Sequence, residues 1–204
     1  MLVRLNPENP QPRQISRIVD TLRQGGVIVY PTDTIYGLGC DIFNAKGVKR
    51  IYQVKQRDAR KPFSFVCSDI SDVANYCQVS NFAYKILKRH LPGPYTFVLD
   101  ATRQVPGLLT TKQKTVGIRI PDNEIALAIV RELGHPLVTT SANTSGDDPV
   151  NDPEEIESRF GKAIDMVVDG GVLIGNASTV ISLVDDKIEV LRQGGGDTSW
   201  IEQL

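Results

Sequence analysis

Short apolar runs of strand length alternate with segments of helical periodicity along most of this 204-residue chain. Ile15, Ile18, Val19 and Leu22 recur at the i, i+3, i+4, i+7 spacing of a buried helix face, and residues 27–30 then read as a short buried strand. Strands interleaved with helices are typical of α/β proteins. The alternation therefore predicts an α/β fold with helices packed on a mixed sheet.

The same alternation continues to the C-terminus. Further strands are expected at residues 63–67, 95–99, 115–120, 137–140, 165–168, 178–183 and 188–192. Further helices are expected after a cap at Asn44 and at residues 71–76, 82–90, 125–133 and 153–160. The last two strands are close in sequence and predict a hairpin. With no repeat or linker evident, we expect a single domain over residues 1–204.

Charge and composition restrict the classes of function. The formal net charge is -1, so any site for a polyanion must be a local patch. No segment approaches the ~20 apolar residues of a membrane helix, and the N-terminus has no signal-peptide core, so we expect a cytoplasmic protein without membrane association. Three cysteines without CxxC spacing and two histidines argue against zinc. Cys40 and Cys67 are predicted to be buried thiols.

A local basic patch lies where the second helix is expected to give way to a strand. Lys55, Arg57, Arg60 and Lys61 share this short segment with a single acid, Asp58. Clustered cations can bind phosphates, and cations also favour the exposed C-terminal end of a helix. The spacing alone leaves both interpretations open.

Residues 31–39 directly follow the first buried strand. Thr32, Asp33 and Thr34 offer hydroxyls and a carboxylate, and Gly37 and Gly39 permit close approach of the backbone. Open α/β sheets bind ligands where strands end in such loops, although an ordinary turn would have a similar composition.

A second hydroxyl-rich segment, residues 139–146, follows the strand expected at 137–140. Its hydroxyls and backbone amides suit anionic oxygens, and a plain polar loop is the alternative. In the strand at 115–120, Thr115, Gly117 and Arg119 share one face, opposite to the apolar residues. Arg119 is therefore either a surface residue or a clamp for a carboxylate in a cleft.

Common nucleotide and hydrolase motifs are absent from the chain. There is no GxxxxGK[ST] phosphate-binding loop, no complete dinucleotide fingerprint, and no HExxH or GxSxG. A nucleotide site in this chain would have to be built from other segments.

Four segments, taken in order, resemble the YrdC/YciO family. They are PTDTIYGLG at residues 31–39, KQR followed by KP at 55–62, TVGIRIP at 115–121 and TTSANTSG at 139–146. Synthases of this family usually have a histidine on the strand after the basic segment, where this chain has Val66 and Cys67. They also usually carry a serine where residues 147–149 read Asp-Asp-Pro. Both differences place the chain nearer the YciO branch.

The resemblance implies a twisted open mixed sheet of the YrdC/RibB type with a concave, positively charged face. It also implies a nucleotidyltransferase, L-threonylcarbamoyladenylate synthase. L-threonine, bicarbonate and ATP, the last with Mg²⁺, would give threonylcarbamoyl-adenylate and pyrophosphate for the t6A modification of tRNA. Expected partners are tRNA or double-stranded RNA and the t6A-transfer proteins.

The resemblance also implies roles for particular residues, none of them as acid or base. The threonine-binding residues are expected to be Thr32, Thr34, Arg119 and Thr139. The ATP-binding residues are expected to be Lys55, Arg57, Lys61, Thr115, Ser141, Ala142, Asn143 and Arg192.

Two other functions fit the same residues. A non-catalytic protein that binds double-stranded RNA or tRNA could hold phosphates with Lys49, Arg50, Lys55 and Arg57. A lyase or isomerase acting on a phosphorylated sugar would use the same basic cleft without ATP.

Overall fold

The computed structural model describes residues 1–56, 63–109, 112–144 and 148–203. These parts of the chain form ten strands in one open mixed sheet and six α-helices, which confirms the predicted α/β class. The strands are β1 (Leu2–Arg4), β2 (Ile28–Tyr30), β3 (Gly37–Asp41), β4 (Ser64–Val66), β5 (Tyr95–Asp100), β6 (Thr115–Arg119), β7 (Leu137–Ser141), β8 (Met166–Asp169), β9 (Thr179–Ser182) and β10 (Glu189–Arg192). The helices are α1 (Pro12–Arg23), α2 (Ala45–Lys55), α3 (Ile70–Tyr76), α4 (Asn81–His90), α5 (Glu124–Leu133) and α6 (Pro153–Phe160).

The strand order in the sheet is β1-β8-β2-β3-β7-β4-β6-β5-β9-β10. The pairs β1–β8, β8–β2, β4–β6 and β5–β9 are parallel, and the remaining neighbours are antiparallel. The predicted hairpin of the last two strands is confirmed by the antiparallel pairing of β9 and β10. Segments from distant parts of the sequence therefore meet side by side at the centre of the sheet.

The sequence interpretation missed β3, which forms part of the segment expected to be a ligand loop. β3 pairs with β2, and its glycines are needed because the Tyr30 ring lies across them. A Cβ at Gly39 would stand 2.9 Å from the Tyr30 ring, and a Cβ at Gly37 would stand 3.1 Å from it. Glycine is a poor strand former, so the residues that make this packing possible also hide the strand.

Two hydrophobic clusters lie on opposite faces of the sheet. Ile28 and Tyr30 belong to the cluster under α1 and α5, whereas Val29 belongs to the cluster that includes residues of α2, α3, α4 and α6. The α1–α5 cluster extends along its face as far as Val66 and Leu137. Beyond these residues the same face carries the open cleft described below.

Buried thiols and helix ends agree with the sequence interpretation. Cys40 and Cys67 are buried and free, and burial raises the pKa of both thiols. The Asn44 side chain caps α2, accepting hydrogen bonds from backbone amides in the first turn. Within the described residues, no helix is long and apolar enough to span a membrane.

Candidate functional site

A cleft of about 490 Å³ lies on the part of the sheet face that α1 and α5 leave uncovered. Strand register brings small residues to its floor: Ser64 of β4 stands between Gly117 of β6 and Thr139 of β7. Thr96 of β5 and Ser178 extend this row toward β10. Small side chains on consecutive strands leave room for a ligand where a core face would carry large apolar ones.

Gly117 keeps the centre of this floor open. A Cβ at this position would lie 2.7 Å from the Ser64 hydroxyl oxygen and 3.1 Å from the Thr96 methyl group. The first contact is shorter than real Cβ contacts, so any side chain here would displace its neighbours or project into the cleft. The close neighbours of Gly117 on the cleft floor therefore explain why the TVGIRIP segment has a glycine at this position.

One end of the cleft is occupied by a buried ion pair. Arg119 of β6 donates from Nη2 to Asp33 Oδ1 at 2.7 Å and to Thr34 Oγ1 at 2.9 Å. The two charged side chains are only 8% and 9% exposed. Arg119 Nε and Asp33 Oδ2 are buried without a hydrogen-bond partner in the described part of the chain. The pair is therefore monodentate and strongly shielded from water.

Thr32 and Thr34, which precede β3, lie behind Arg119 at this end of the cleft. Thr32 Oγ1 donates to the carbonyl of Ile35 at 2.7 Å and accepts from the backbone amide of Thr34 at 3.1 Å. Both threonines are buried, so they support Arg119 rather than line the open space. Their predicted contact with threonine remains a prediction.

Thr139 lines the cleft and is held by a buried tyrosine. Tyr30 donates its hydroxyl proton to Thr139 Oγ1 at 2.8 Å. Burial raises the pKa of Tyr30 to about 12, so the phenol keeps its proton at neutral pH. The Thr139 hydroxyl is thereby left with a proton to donate into the cleft.

The other end of the cleft carries Arg192 of β10. Its guanidinium donates to the carbonyl oxygen of Ser178 from Nε at 3.2 Å and from Nη2 at 2.8 Å. Burial, and then the nearby charge of Arg119, lower the pKa of Arg192, although a guanidinium remains charged at any ordinary pH. No carboxylate of the described residues pairs with Arg192, so its guanidinium brings an unpaired positive charge among them to this end.

Lys55 reaches the cleft through the loop that follows β7. Its side chain is 2% exposed, and Nζ donates to the Ser141 carbonyl at 2.7 Å and to Asn143 Oδ1 at 2.6 Å. Ser141 and Asn143 line the cleft, whereas Ala142 is buried behind them. Lys55 therefore holds the loop, and its predicted direct contact with ATP remains a prediction.

The structure gathers most of the predicted site residues around this one cleft. Those that line it are Thr115, Arg119, Thr139, Ser141, Asn143 and Arg192. Arg57 and Lys61 lie outside the described residues. Of the other cations considered for RNA, Arg50 pairs with Asp165 while Lys49 is exposed.

Several residues of the site were not singled out from the sequence. Ser64, Thr96 and Ser178 belong to the floor, and the hydroxyl oxygens of Thr96 and Ser178 are hydrogen-bonded at 2.8 Å. Tyr36 lines the cleft, and its hydroxyl donates to Gly171 O at 2.8 Å. The available signal was a small or hydroxyl residue at alternate positions of otherwise apolar strands.

The structure describes Val66 and Asp148 at the two positions that differ from the synthase pattern, whereas Asp147 lies outside the described residues. Val66 is fully buried in the α1–α5 cluster, in register with Arg119. Asp148 lies in the loop after β7, in a small pocket with Asn143 and Arg159. In the described part of the chain, no group of three or more His, Cys, Asp and Glu side chains could hold a metal ion.

Comparison with known proteins agrees with this architecture. Residues 20–194 match the Sua5/YciO/YrdC family model, which is described as "Telomere recombination". The chain belongs to the Sua5/YciO/YrdC family. It is 43% identical over 195 residues to the uncharacterized protein YciO of Escherichia coli K12, covering 95% of each chain. The crystal structure of E. coli YciO superposes with a TM-score of 0.93 over 98% of both chains.

Relatives named as synthases are more distant. The chain is 35% identical over 170 residues to the threonylcarbamoyl-AMP synthase of Idiomarina loihiensis, covering 80% of this chain and 90% of that protein. The crystal structure of P. abyssi Sua5 complexed with L-threonine superposes on the whole chain with a TM-score of 0.93 at 31% identity. This chain spans 60% of that longer protein. The predicted family and YrdC-like fold are confirmed.

Proposed function

We propose that this protein is an ATP-dependent enzyme of the threonylcarbamoyl-AMP synthase type. L-threonine, bicarbonate and ATP would be converted to threonylcarbamoyl-adenylate and pyrophosphate. The observation that carries the proposal is the uneven charge of a single cleft. A neutral Arg119–Asp33 pair lies toward one end and an Arg192 without a carboxylate partner toward the other.

The Arg119 end suits the amino acid. Nη2 of Arg119 is engaged by Asp33 and Thr34, whereas Nη1 forms no hydrogen bond with the described residues. A guanidinium with a donor to spare binds a carboxylate well. Thr139 stands on the same floor with a hydroxyl to offer.

The Arg192 end suits the phosphates. Arg192 shares the cleft with the hydroxyls of Ser178, Ser141 and Thr115. Hydroxyl and guanidinium donors are the groups that bind phosphate oxygens. The same cleft includes both this end and the Arg119 end, and its floor between them includes the small residues Ser64 and Gly117.

The proposed reaction does not require a covalent intermediate with a protein side chain. The amine of threonine adds to the carbon of bicarbonate with loss of water, and the resulting carbamate oxygen attacks the α-phosphorus of ATP. The bond from the α-phosphorus to the bridging oxygen breaks, and pyrophosphate leaves. Such a transfer needs positioning and charge neutralisation more than a nucleophilic side chain. Mg²⁺ brought with ATP would neutralise phosphate charge and keep mostly phosphate and water ligands.

The proposal is tested by measuring pyrophosphate release with ATP, bicarbonate and each amino acid in turn. Release that requires both L-threonine and bicarbonate is the expected result. Arg192→Ala should raise the KM for ATP at least tenfold, since it removes the charge at the phosphate end. Arg131→Ala is the matched control, because Arg131 lies on α5 in an exposed pair with Glu124. Equal activity of all three proteins would contradict the assignment.

RNA binding is the alternative that the same preparation can test. Of the cations considered for it, Lys55 is buried against the Ser141 loop and Arg50 is paired, which reduces the exposed basic surface. Binding of tRNA or duplex RNA measured at two salt concentrations would show a steep loss of affinity with salt if phosphates were the main contacts. Salt-sensitive RNA binding without pyrophosphate release would favour a non-catalytic RNA-binding protein.

A further inference from the structure

Asp33 controls the net charge at the amino-acid end of the cleft. Its Oδ1 accepts from Arg119 Nη2 at 2.7 Å, and its Oδ2 is buried without a hydrogen-bond partner in the residues that the structure describes. Within the described ranges, Arg119 is the one hydrogen-bond donor to this carboxylate. Its negative charge acts on Arg119, at a place where both side chains are more than nine-tenths buried.

This neutralisation affects which ligands the Arg119 end can hold. A free guanidinium in a shielded site would attract any small carboxylate or inorganic anion. A guanidinium already paired with a carboxylate forms a site of no net charge, and burying a ligand with net negative charge beside it carries a desolvation cost that little attraction offsets. An amino acid is a zwitterion and brings no net charge to the site.

We propose that Asp33 is a specificity-determining residue that restricts the Arg119 end of the cleft to amino acids and excludes simple carboxylate anions. This inference rests on the proposed function for the location of the amino acid. It adds that the α-ammonium group is selected through the net charge of the site. The residue acts through Arg119, and no step of the reaction is assigned to it.

The test compares two ligands of the same shape. L-threonine and 2,3-dihydroxybutanoate differ in that the second carries a hydroxyl in place of the ammonium group. Binding of each is measured by calorimetry at constant ionic strength in the wild-type protein and in Asp33→Asn. The asparagine keeps the size of the side chain and an oxygen that accepts from Arg119, and it removes the charge.

The wild-type protein should bind L-threonine and reject the hydroxy acid. In Asp33→Asn the affinity for the hydroxy acid relative to threonine should rise about 10- to 100-fold, because an unneutralised guanidinium a few ångströms away now attracts the anion. Asp33→Glu retains the charge and should keep the wild-type preference. Asp41→Asn is the matched control, since Asp41 is a buried carboxylate whose Oδ1 accepts from the Phe43 amide away from the cleft.

The measured ligand preference of Asp33→Asn either supports or overturns the proposed role of Asp33. A folded Asp33→Asn protein with an unchanged ligand preference would overturn it, as would an equal change in Asp41→Asn. If Asp33→Asn melts near room temperature, Asp33→Ser removes the same charge with a smaller side chain and decides the question. Should wild type bind no amino acid, the proposed substrate is wrong. The gain of hydroxy-acid binding in Asp33→Asn would still show whether Asp33 neutralises Arg119.

Discussion

Replacing Arg119 by alanine should destabilise the protein strongly as well as abolish ligand binding. The substitution removes the guanidinium that binds Asp33 Oδ1 at 2.7 Å. Asp33 would then be a carboxylate, 9% exposed, with no cation beside it. Its other oxygen already lacks a partner among the described residues, so no existing hydrogen bond can take over.

The loss in free energy of unfolding can be estimated from the burial of Asp33. Breaking a buried ion pair by removing one partner costs about 3–5 kcal/mol, because an uncompensated charge remains inside the protein. At roughly 2–4 °C per kcal/mol for a chain of this length, the melting temperature should fall by about 6–20 °C. Native proteins have a free energy of unfolding of only about 5–15 kcal/mol, so the effect is easily measured.

Urea denaturation of three proteins separates the lost charge from the lost contact. Arg119→Ala should lose about 3–5 kcal/mol, and the double variant Asp33→Asn, Arg119→Met should recover most of it, since no isolated charge is left. Neither variant should release pyrophosphate. A loss below about 1 kcal/mol in Arg119→Ala would mean that the pair is exposed to water, which would refute the reasoning.

Other substitutions test separate parts of the account. Tyr30→Phe removes a buried hydrogen bond and should cost about 0.5–1.5 kcal/mol in urea. Because burial raises the pKa of Tyr30 and of Tyr36 to about 12, the folded state keeps protons that the unfolded state releases near pH 10. Because burial also raises the pKa of the Cys40 and Cys67 thiols, the free energy of unfolding should begin to fall near the ordinary thiol pKa of about 8.5. Between pH 10 and 12 it should fall less steeply in Tyr30→Phe than in the wild-type protein, and an identical slope in both would contradict the shift. Gly117→Val should fill the cleft floor and abolish ATP binding while circular dichroism keeps its native shape; retained binding would place the ligand elsewhere. Lys55→Met should cost at least about 2 kcal/mol, against less than about 0.5 kcal/mol for the exposed Lys49→Met, and equal costs would show that Lys55 does not hold the loop.

Local patterns were sufficient to predict much of the sheet and part of the site. The alternation of Val116 and Ile118 with Gly117 and Arg119 placed the arginine on the face away from the core, and the structure has it lining the cleft. From the hydroxyl-rich segment at residues 139–146, Thr139, Thr140, Ser141 and Asn143 likewise line this cleft. These predictions succeeded because a strand fixes the direction of each side chain from its position alone.

Contacts between distant segments could not be predicted in this way. Asp33 and Arg119 are separated by 86 positions. They meet because of the strand order of the sheet, in which β3, β7 and β4 lie between β2 and β6. The spacing left Lys55 as either a phosphate ligand or an exposed cation at a helix end. In the structure it turns inward because Ser141 and Asn143 supply oxygen acceptors. Ser64 and Thr96 look unremarkable in sequence, since single hydroxyl residues are common in strands. Their role follows from the open cleft on that part of the sheet, where none of the described helices covers the face.

The most direct test of the divided cleft is calorimetric titration of ATP and of L-threonine into two variants. The charge-balanced double variant Asp33→Asn, Arg119→Met should lose threonine binding and keep ATP binding within a few-fold. Arg192→Ala should lose ATP binding and keep threonine binding. If each variant weakens both ligands to the same extent, or if neither ligand is affected, the two ends of the cleft do not hold the two substrates and the account is wrong.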